Sequence, residues 1–137
     1  MHAATDAALD FRILLPQAMA AGRPIPLLVR LTNTESEPAD LYLFGRTVAF
    51  DVVVMREDGT EVWRRLEGET VQSILQLRTL GPAESLGLTD TWDGRTRDGL
   101  LVPPGEYLVQ ALLPMEGWSL TTPTVPLRIL PGTNDGS

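Results

Sequence analysis

Apolar side chains recur at every second position in a series of short segments. Leu9, Phe11, Ile13 and Leu15 alternate with Asp10 and Arg12, and Ile25, Leu27, Val29 and Leu31 alternate with Pro26, Arg30 and Thr32. Phe50, Val52 and Val54 repeat the spacing, as do Leu86, Leu88 and Trp92, then Tyr107, Val109, Ala111 and Leu113, and last Val125, Leu127 and Ile129. A period of two is that of a half-buried strand, and no stretch shows the 3.6 period of an amphipathic helix. Val53 and Met55 make the outer face of their segment apolar, which predicts a cover over it. Leu41 to Phe44 is apolar on both faces, so its inward side stays open, and residues 66–80 fit either a strand or a helical turn. Glycines and prolines punctuate the chain between these segments, and the whole predicts an all-β, antiparallel β-sandwich of about seven to nine strands. The sandwich is expected over residues 9–131, with flexible tails at 1–8 and 132–137.

The strongest local signal is the hairpin AFDVVVMREDGTEVWRRL. Asp58-Gly59 has the residue types of a type I′ turn, which would set Arg56 opposite Glu61, Met55 opposite Val62 and Val54 opposite Trp63. That register puts Trp63 on the face of Phe50, Val52 and Val54, as a core residue. Arg64 and Arg65 follow on opposite faces, where they would discourage edge-to-edge pairing. Glu35 to Asp40 reads as a solvated acidic turn.

Composition removes much chemistry. The chain of 137 residues has no cysteine and one histidine, His2, so disulfides, thiolate metal sites, cysteine nucleophiles and serine–histidine catalysis lack their parts. All 11 basic residues are arginine, against 18 acids, for a formal net charge of -7. Such a chain is repelled by nucleic acid and by anionic membranes, and it has no lysine for Schiff-base or P-loop chemistry. No cofactor is expected, and binding rather than catalysis is the expected activity, although glycosidase chemistry by carboxylates alone stays formally open. The N-terminal residues lack the basic and apolar regions of a signal peptide, and no run reaches the length of a membrane span. A cytoplasmic location is therefore expected, with an exported form as the alternative if a leader has been removed.

Residues 92–107 read WDGRTRDGLLVPPGEY. Trp92 would cap the core at a strand end, Asp93-Gly94 and Asp98-Gly99 would turn the chain, and Pro104-Gly105 would set a type II turn before Tyr107. Asp90, Asp93 and Asp98 are close enough to consider calcium, and Asp93 with Asp98 a catalytic carboxylate pair, but aspartate before glycine is what turns require, and the turn reading is preferred. The pattern of W-D-G, then D-G, then P-P-G-x-Y resembles a segment of two bacterial immunoglobulin-like families, the sandwich domain of flagellar hook-capping proteins and the BsuPI-type intracellular proteinase inhibitors. The strand ending in Asn33, followed by Leu41, Leu43 and Gly45, is similar to the second. So is the hairpin carried by Asp51, Val54, Asp58, Gly59, Val62 and Trp63. This sequence departs from that pattern at Arg64-Arg65-Leu66 and at Gly81-Pro82-Ala83-Glu84, where the family has an aromatic-serine pair and a Pro-Gly. The resemblance implies an immunoglobulin-like sandwich that inhibits a protease, with a serine protease as the expected class of partner.

An inhibitory loop must be stiff before it binds, and without disulfides the stiffness has to come from proline and packing. Two loops qualify. One spans residues 91–106, with Pro103 and Pro104 and the flanking Arg95 and Arg97. The other is the tip Pro114 to Trp118, where Met115 and Trp118 are residue types enriched at recognition hot spots. The competing reading has Trp118 folded back as a plug for the end of the sandwich. Leu100-Leu101-Val102 reads as a short buried strand or as part of the first loop. The alternative function is a non-inhibitory interaction module that docks a protein through an exposed edge strand or the Trp118 tip.

Overall fold

Each alternating segment forms a strand because its apolar face can be buried only against a second sheet. A computed structural model describes residues 9–45, 48–69 and 71–132. The strands are β1 (Leu9–Leu14), β2 (Ala18–Ala20), β3 (Ile25–Asn33), β4 (Ala39–Phe44), β5 (Asp51–Arg56), β6 (Glu61–Arg64), β7 (Leu75–Leu80), β8 (Ser85–Trp92), β9 (Gly105–Met115), β10 (Trp118–Thr121) and β11 (Val125–Leu130). Among the described residues there are eleven strands, more than expected, because three-residue β2 and four-residue β10 are too short to show a period of their own. The ambiguous segment at 66–80 ends in strand β7. His2, the expected tail at 1–8 and all but Gly132 of the expected tail at 132–137 lie outside the described residues.

The small sheet has the order β1-β3-β8, and the large one runs β2-β11-β9-β4-β7, with β5 and β10 also paired to β9 and β6 paired to β5. All pairings are antiparallel except that of β2 with β11. Strand β9 is the spine of the large sheet. Its N-terminal half lies between β5 and β11, and its C-terminal end between β4 and β10. Where β10 gives way to β11, Pro123 cannot donate to the ladder. There the Thr122 hydroxyl oxygen accepts the Ala111 N–H at 3.0 Å, and Thr122 N–H donates to Ala111 C=O at 2.9 Å.

The inner faces follow the sequence pattern. Leu9, Phe11, Ile13, the β3 residues Ile25, Leu27, Val29 and Leu31, and Trp92 meet Val52, Val54, Leu127, Ile129 and the run Tyr107, Val109, Ala111, Leu113 and Met115. In β4 the inward side is Leu41 and Leu43, while Tyr42 is exposed. Val53 on the outer face of β5 is buried, as a covered face requires.

Two turns correct the sequence reading. In the β5–β6 hairpin only Gly59 has a positive φ, +91°, and Asp58 does not. Gly59 N–H donates to Arg56 C=O at 2.9 Å, and Arg56 N–H to Thr60 C=O at 2.8 Å. This is a three-residue connection with a glycine bulge rather than a type I′ turn. Trp63 still faces Val54, but Met55 faces Glu61 and the register shifts between Val54 and Met55, so Arg56 does not oppose Glu61. Gly105 has φ +152° and begins β9 in an extended conformation open to glycine, in place of the expected type II turn.

The departure at Gly81 to Glu84 has a clear conformation. Glu84 N–H donates to Gly81 C=O at 3.0 Å around Pro82-Ala83, and Ala83 sits at φ +64°. A type II turn needs glycine at that second central position. Replacing Ala83 with glycine should raise stability by about 0.5 kcal/mol, the relief of left-handed strain less the extra unfolded-state entropy. Denaturant titration checks this.

Arg64 and Arg65 do more than guard an edge. Arg64 donates to Asp51 at 2.6 Å and to Glu61 at 2.7 Å, while Arg65 donates to Asp90 at 2.5 Å and lies 3.8 Å over the Phe50 ring. The Arg64 hydrogen bond holds the Glu61 carboxyl below its ordinary range. A depressed carboxylate stabilises the fold above the unfolded value and loses that contribution as pH falls through the folded one. Glu61→Gln should therefore cost about 0.5 kcal/mol at neutral pH, the scale of a solvent-screened pair. The difference from the parent should vanish under acid in pH-resolved unfolding.

Candidate functional site

The loop between β8 and β9 stands on a tryptophan pair. Trp92 is 1% exposed, and its ring stacks on Trp63 with centroids 5.6 Å apart and 26° between planes. Trp63 is thus half-buried against the core, bridging the sheets at their rim rather than lying wholly inside. Trp92 Nε1 donates to Arg95 C=O at 2.9 Å, so the indole that plugs the sandwich also holds the first turn of the loop. Asp93 Oδ1 accepts the Arg95 N–H at 3.1 Å, and Gly94, at φ +76°, is buried against the turn at Gly22.

Beyond this base the loop closes on itself. Thr96 N–H donates to Leu100 C=O at 2.7 Å, Gly99 N–H to Thr96 C=O at 2.9 Å and Val102 N–H to Gly94 C=O at 2.9 Å. Arg95 pairs with Leu101 as an isolated bridge, and its guanidinium donates to Gly99 C=O at 2.9 Å. Val102 is buried, and the proline after it confines it to an extended backbone. Tyr107 closes the return by donating from its hydroxyl to Pro103 C=O at 2.5 Å. Burial pushes the Tyr107 pKa upward, so the hydroxyl keeps this proton well above neutral pH.

Arg95, Arg97, Pro103 and Pro104, named from the sequence as candidate contacts, are exposed. Arg97 lies 3.5 Å from Glu67, which ties the tip to the segment after β6. The apolar tip residues depart from expectation. Leu100 and Leu101 are exposed rather than part of a buried strand, and only Val102 turns inward. Leu101 lies over Gly22, whereas Leu100 is 67% exposed. The signal available beforehand was the Val102-Pro103 pair, which fixes an extended path on which Val102 and Leu101 must face opposite ways.

The second candidate tip does not supply an exposed anchor. Met115 is buried in the core, opposite Trp118 across the β9–β10 pair, and Trp118 is half-buried against the same cluster. The two-residue Glu116-Gly117 turn, with Gly117 at φ +84°, sets Met115 and Trp118 directly opposite, so both lie on the face turned toward the core. Trp118 therefore packs on the core cluster rather than standing clear of it. The three carboxylates considered for calcium have other work or stand apart: Asp90 pairs with Arg65, Asp93 caps the turn, and Asp98 lies at the exposed tip. Among the described residues no group of three His, Cys, Asp or Glu could hold a metal ion, and no helix is long and apolar enough to cross a membrane.

No curated protein matches the chain by sequence. Among solved structures it is similar to the CARDB domain of a Pyrococcus furiosus protein, at 16% identity and a TM-score of 0.48, covering 89% of this chain and 87% of that one. It is also similar to the sporulation control protein of Bacillus subtilis, at 16% identity and 0.49, covering 93% of this chain and 50% of that one. A third is the alkylpurine DNA glycosylase of Pseudomonas fluorescens, at 16% and 0.48, of whose length the chain spans 30%. Residues 14–118, which include the whole loop from Trp92 to Tyr107, match the family described as intracellular proteinase inhibitor, and the chain belongs to this BsuPI family.

Proposed function

We propose that this chain inhibits a cytoplasmic serine protease by non-covalent docking of the 93–106 loop, with Leu100 as its apolar anchor and Arg95 and Arg97 at its rim. The observation that carries this reading is a leucine 67% exposed at the tip of a loop whose backbone is already hydrogen-bonded from Asp93 to Pro103. Ordering a loop on binding costs about 0.5 to 1.5 kcal/mol per side chain, and a loop fixed beforehand avoids most of that cost. The anchor favours a protease whose specificity pocket is apolar over one that selects a basic residue.

Purified chain titrated against serine proteases of both specificities should inhibit the apolar class. Leu100→Asp should weaken inhibition about 30-fold or more, the scale of a hot-spot residue, with an unchanged thermal melt. Absence of inhibition at ~10 μM across the panel overturns the proposal. If the same loop then captured a protein without inhibiting it, the chain would act as a non-inhibitory interaction module.

A further inference from the structure

The edge strand β7 presents exposed apolar side chains on its outer face. Tyr42, Leu75 and Leu77 are exposed, with Tyr42 directly opposite Leu77. Among the described residues, strand β7 pairs only with β4. Gly45 N–H donates to Ile74 C=O at 2.8 Å, and from that bond the ladder alternation follows. The backbone groups of Gln76, Arg78 and Leu80 face β4, and those of Leu75, Leu77 and Thr79 face the open edge.

The other edges are short or polar on their outer faces, as this one is not. Strand β1 turns the paired charges Asp10 and Arg12 outward, and β6 carries the Arg64–Glu61 pair. Strand β8 shows Ser85, Gly87, Thr89 and Thr91 to solvent, and β2 and β10 are three and four residues long. A six-residue edge with an uncharged, leucine-bearing outer face invites another strand.

We propose that β7 pairs antiparallel with β7 of a second copy, about a two-fold axis at Leu77, joining the large sheets of two molecules. The choice of a second copy rests on self-complementarity. With Leu77 opposite its own image, Leu75 meets Thr79 and every outward backbone group finds a partner, giving about six interchain hydrogen bonds. The outer face gathers Tyr42 and Leu77 of both copies into one apolar strip. On the inner face Arg78 falls opposite Gln76, whereas a two-residue shift would set the two Arg78 side chains against each other. An isologous contact of this kind closes at two copies.

Sedimentation over a concentration range should show a monomer–dimer equilibrium with a midpoint of ~10–100 μM, the range of a small interface. Leu77→Lys should raise the dimer dissociation constant at least ~10-fold while leaving the melt of the monomer unchanged. The chain has no free cysteine, so single substitutions report the register. Leu77→Cys should cross-link on oxidation, and Leu75→Cys and Thr79→Cys should not, because only position 77 meets itself within disulfide reach. A monomer at every concentration, equal cross-linking at all three positions, or a dimer indifferent to Leu77→Lys overturns the proposal. So does a monomer in which the Leu75, Leu77 and Thr79 amides gain exchange protection only when an extended foreign peptide is added.

Discussion

Trp92→Ala should lower the unfolding free energy by about 4 kcal/mol in a urea titration, the largest loss expected from a single truncation in this chain. The side chain is 1% exposed and fills the rim where the two sheets meet. Its removal deletes buried area, leaves a cavity under Trp63 and ends the ring stack. The same substitution removes the Nε1 bond to Arg95 C=O, so the loop should lose its order as well as its support. Trp92→Phe separates the two effects. It keeps an aromatic ring against Trp63 but has no donor, and should cost about 1.5 kcal/mol, with part of that from a carbonyl left without its partner. Amide exchange at Thr96, Gly99 and Val102 should rise in the phenylalanine variant while strand amides stay protected. If those loop amides do not change, the indole bond does not organise the loop.

Asn33→Ala should cost about 3 kcal/mol by the same measurement, although asparagine is a residue usually tolerant of change. Asn33 is 0% exposed. Its Nδ2 donates to Glu37 C=O at 2.8 Å and to Leu80 C=O at 2.9 Å, with Gly81 C=O at 3.3 Å, and its Oδ1 accepts Glu35 N–H at 2.9 Å. One amide thereby ties the end of β3, in the small sheet, to the end of β7, in the large one. Alanine leaves those carbonyls in a site too closed for water to replace the amide. Asn33→Asp should be worse at neutral pH, since a carboxylate has no proton to donate and is costly to bury. Burial would raise the pKa of the introduced carboxyl in the folded state, so its penalty should grow as pH rises and shrink in acid, where the protonated group can donate. An Asn33→Asp protein whose stability difference from the parent did not change with pH would remove this account of the site.

The strand faces were legible because period two is a local property. Leu27 and Val109 point inward for the same reason that their neighbours point outward, and no distant residue is needed to say so. Trp92 and the glycine turns at Gly94 and Gly99 were legible on similar grounds, through the size of one side chain and the positive φ of the others. The β5–β6 turn was not, because Asp-Gly serves both the two-residue turn and the bulged three-residue one, and the choice depends on how β6 must twist to bring Trp63 onto Trp92.

Residue type alone misjudged which apolar side chains stay exposed. Methionine and tryptophan near a turn suggested an exposed tip, yet Met115 and Trp118 are drawn inward because β9 runs one residue pair further than its turn signals imply. Leu100 resembles any core leucine until the loop folds over Gly94 and uses Val102 as its single inward anchor. The pairing of Arg65 with Asp90 likewise joins residues 25 positions apart.

Local alternation and turn chemistry are enough to specify a β-sandwich, since each depends on one residue and its near neighbours. Which apolar side chains remain outside depends on the packing of the two sheets. Burial is a property of neighbours far along the chain, and it sorts identical leucines into core, loop tip and sheet edge.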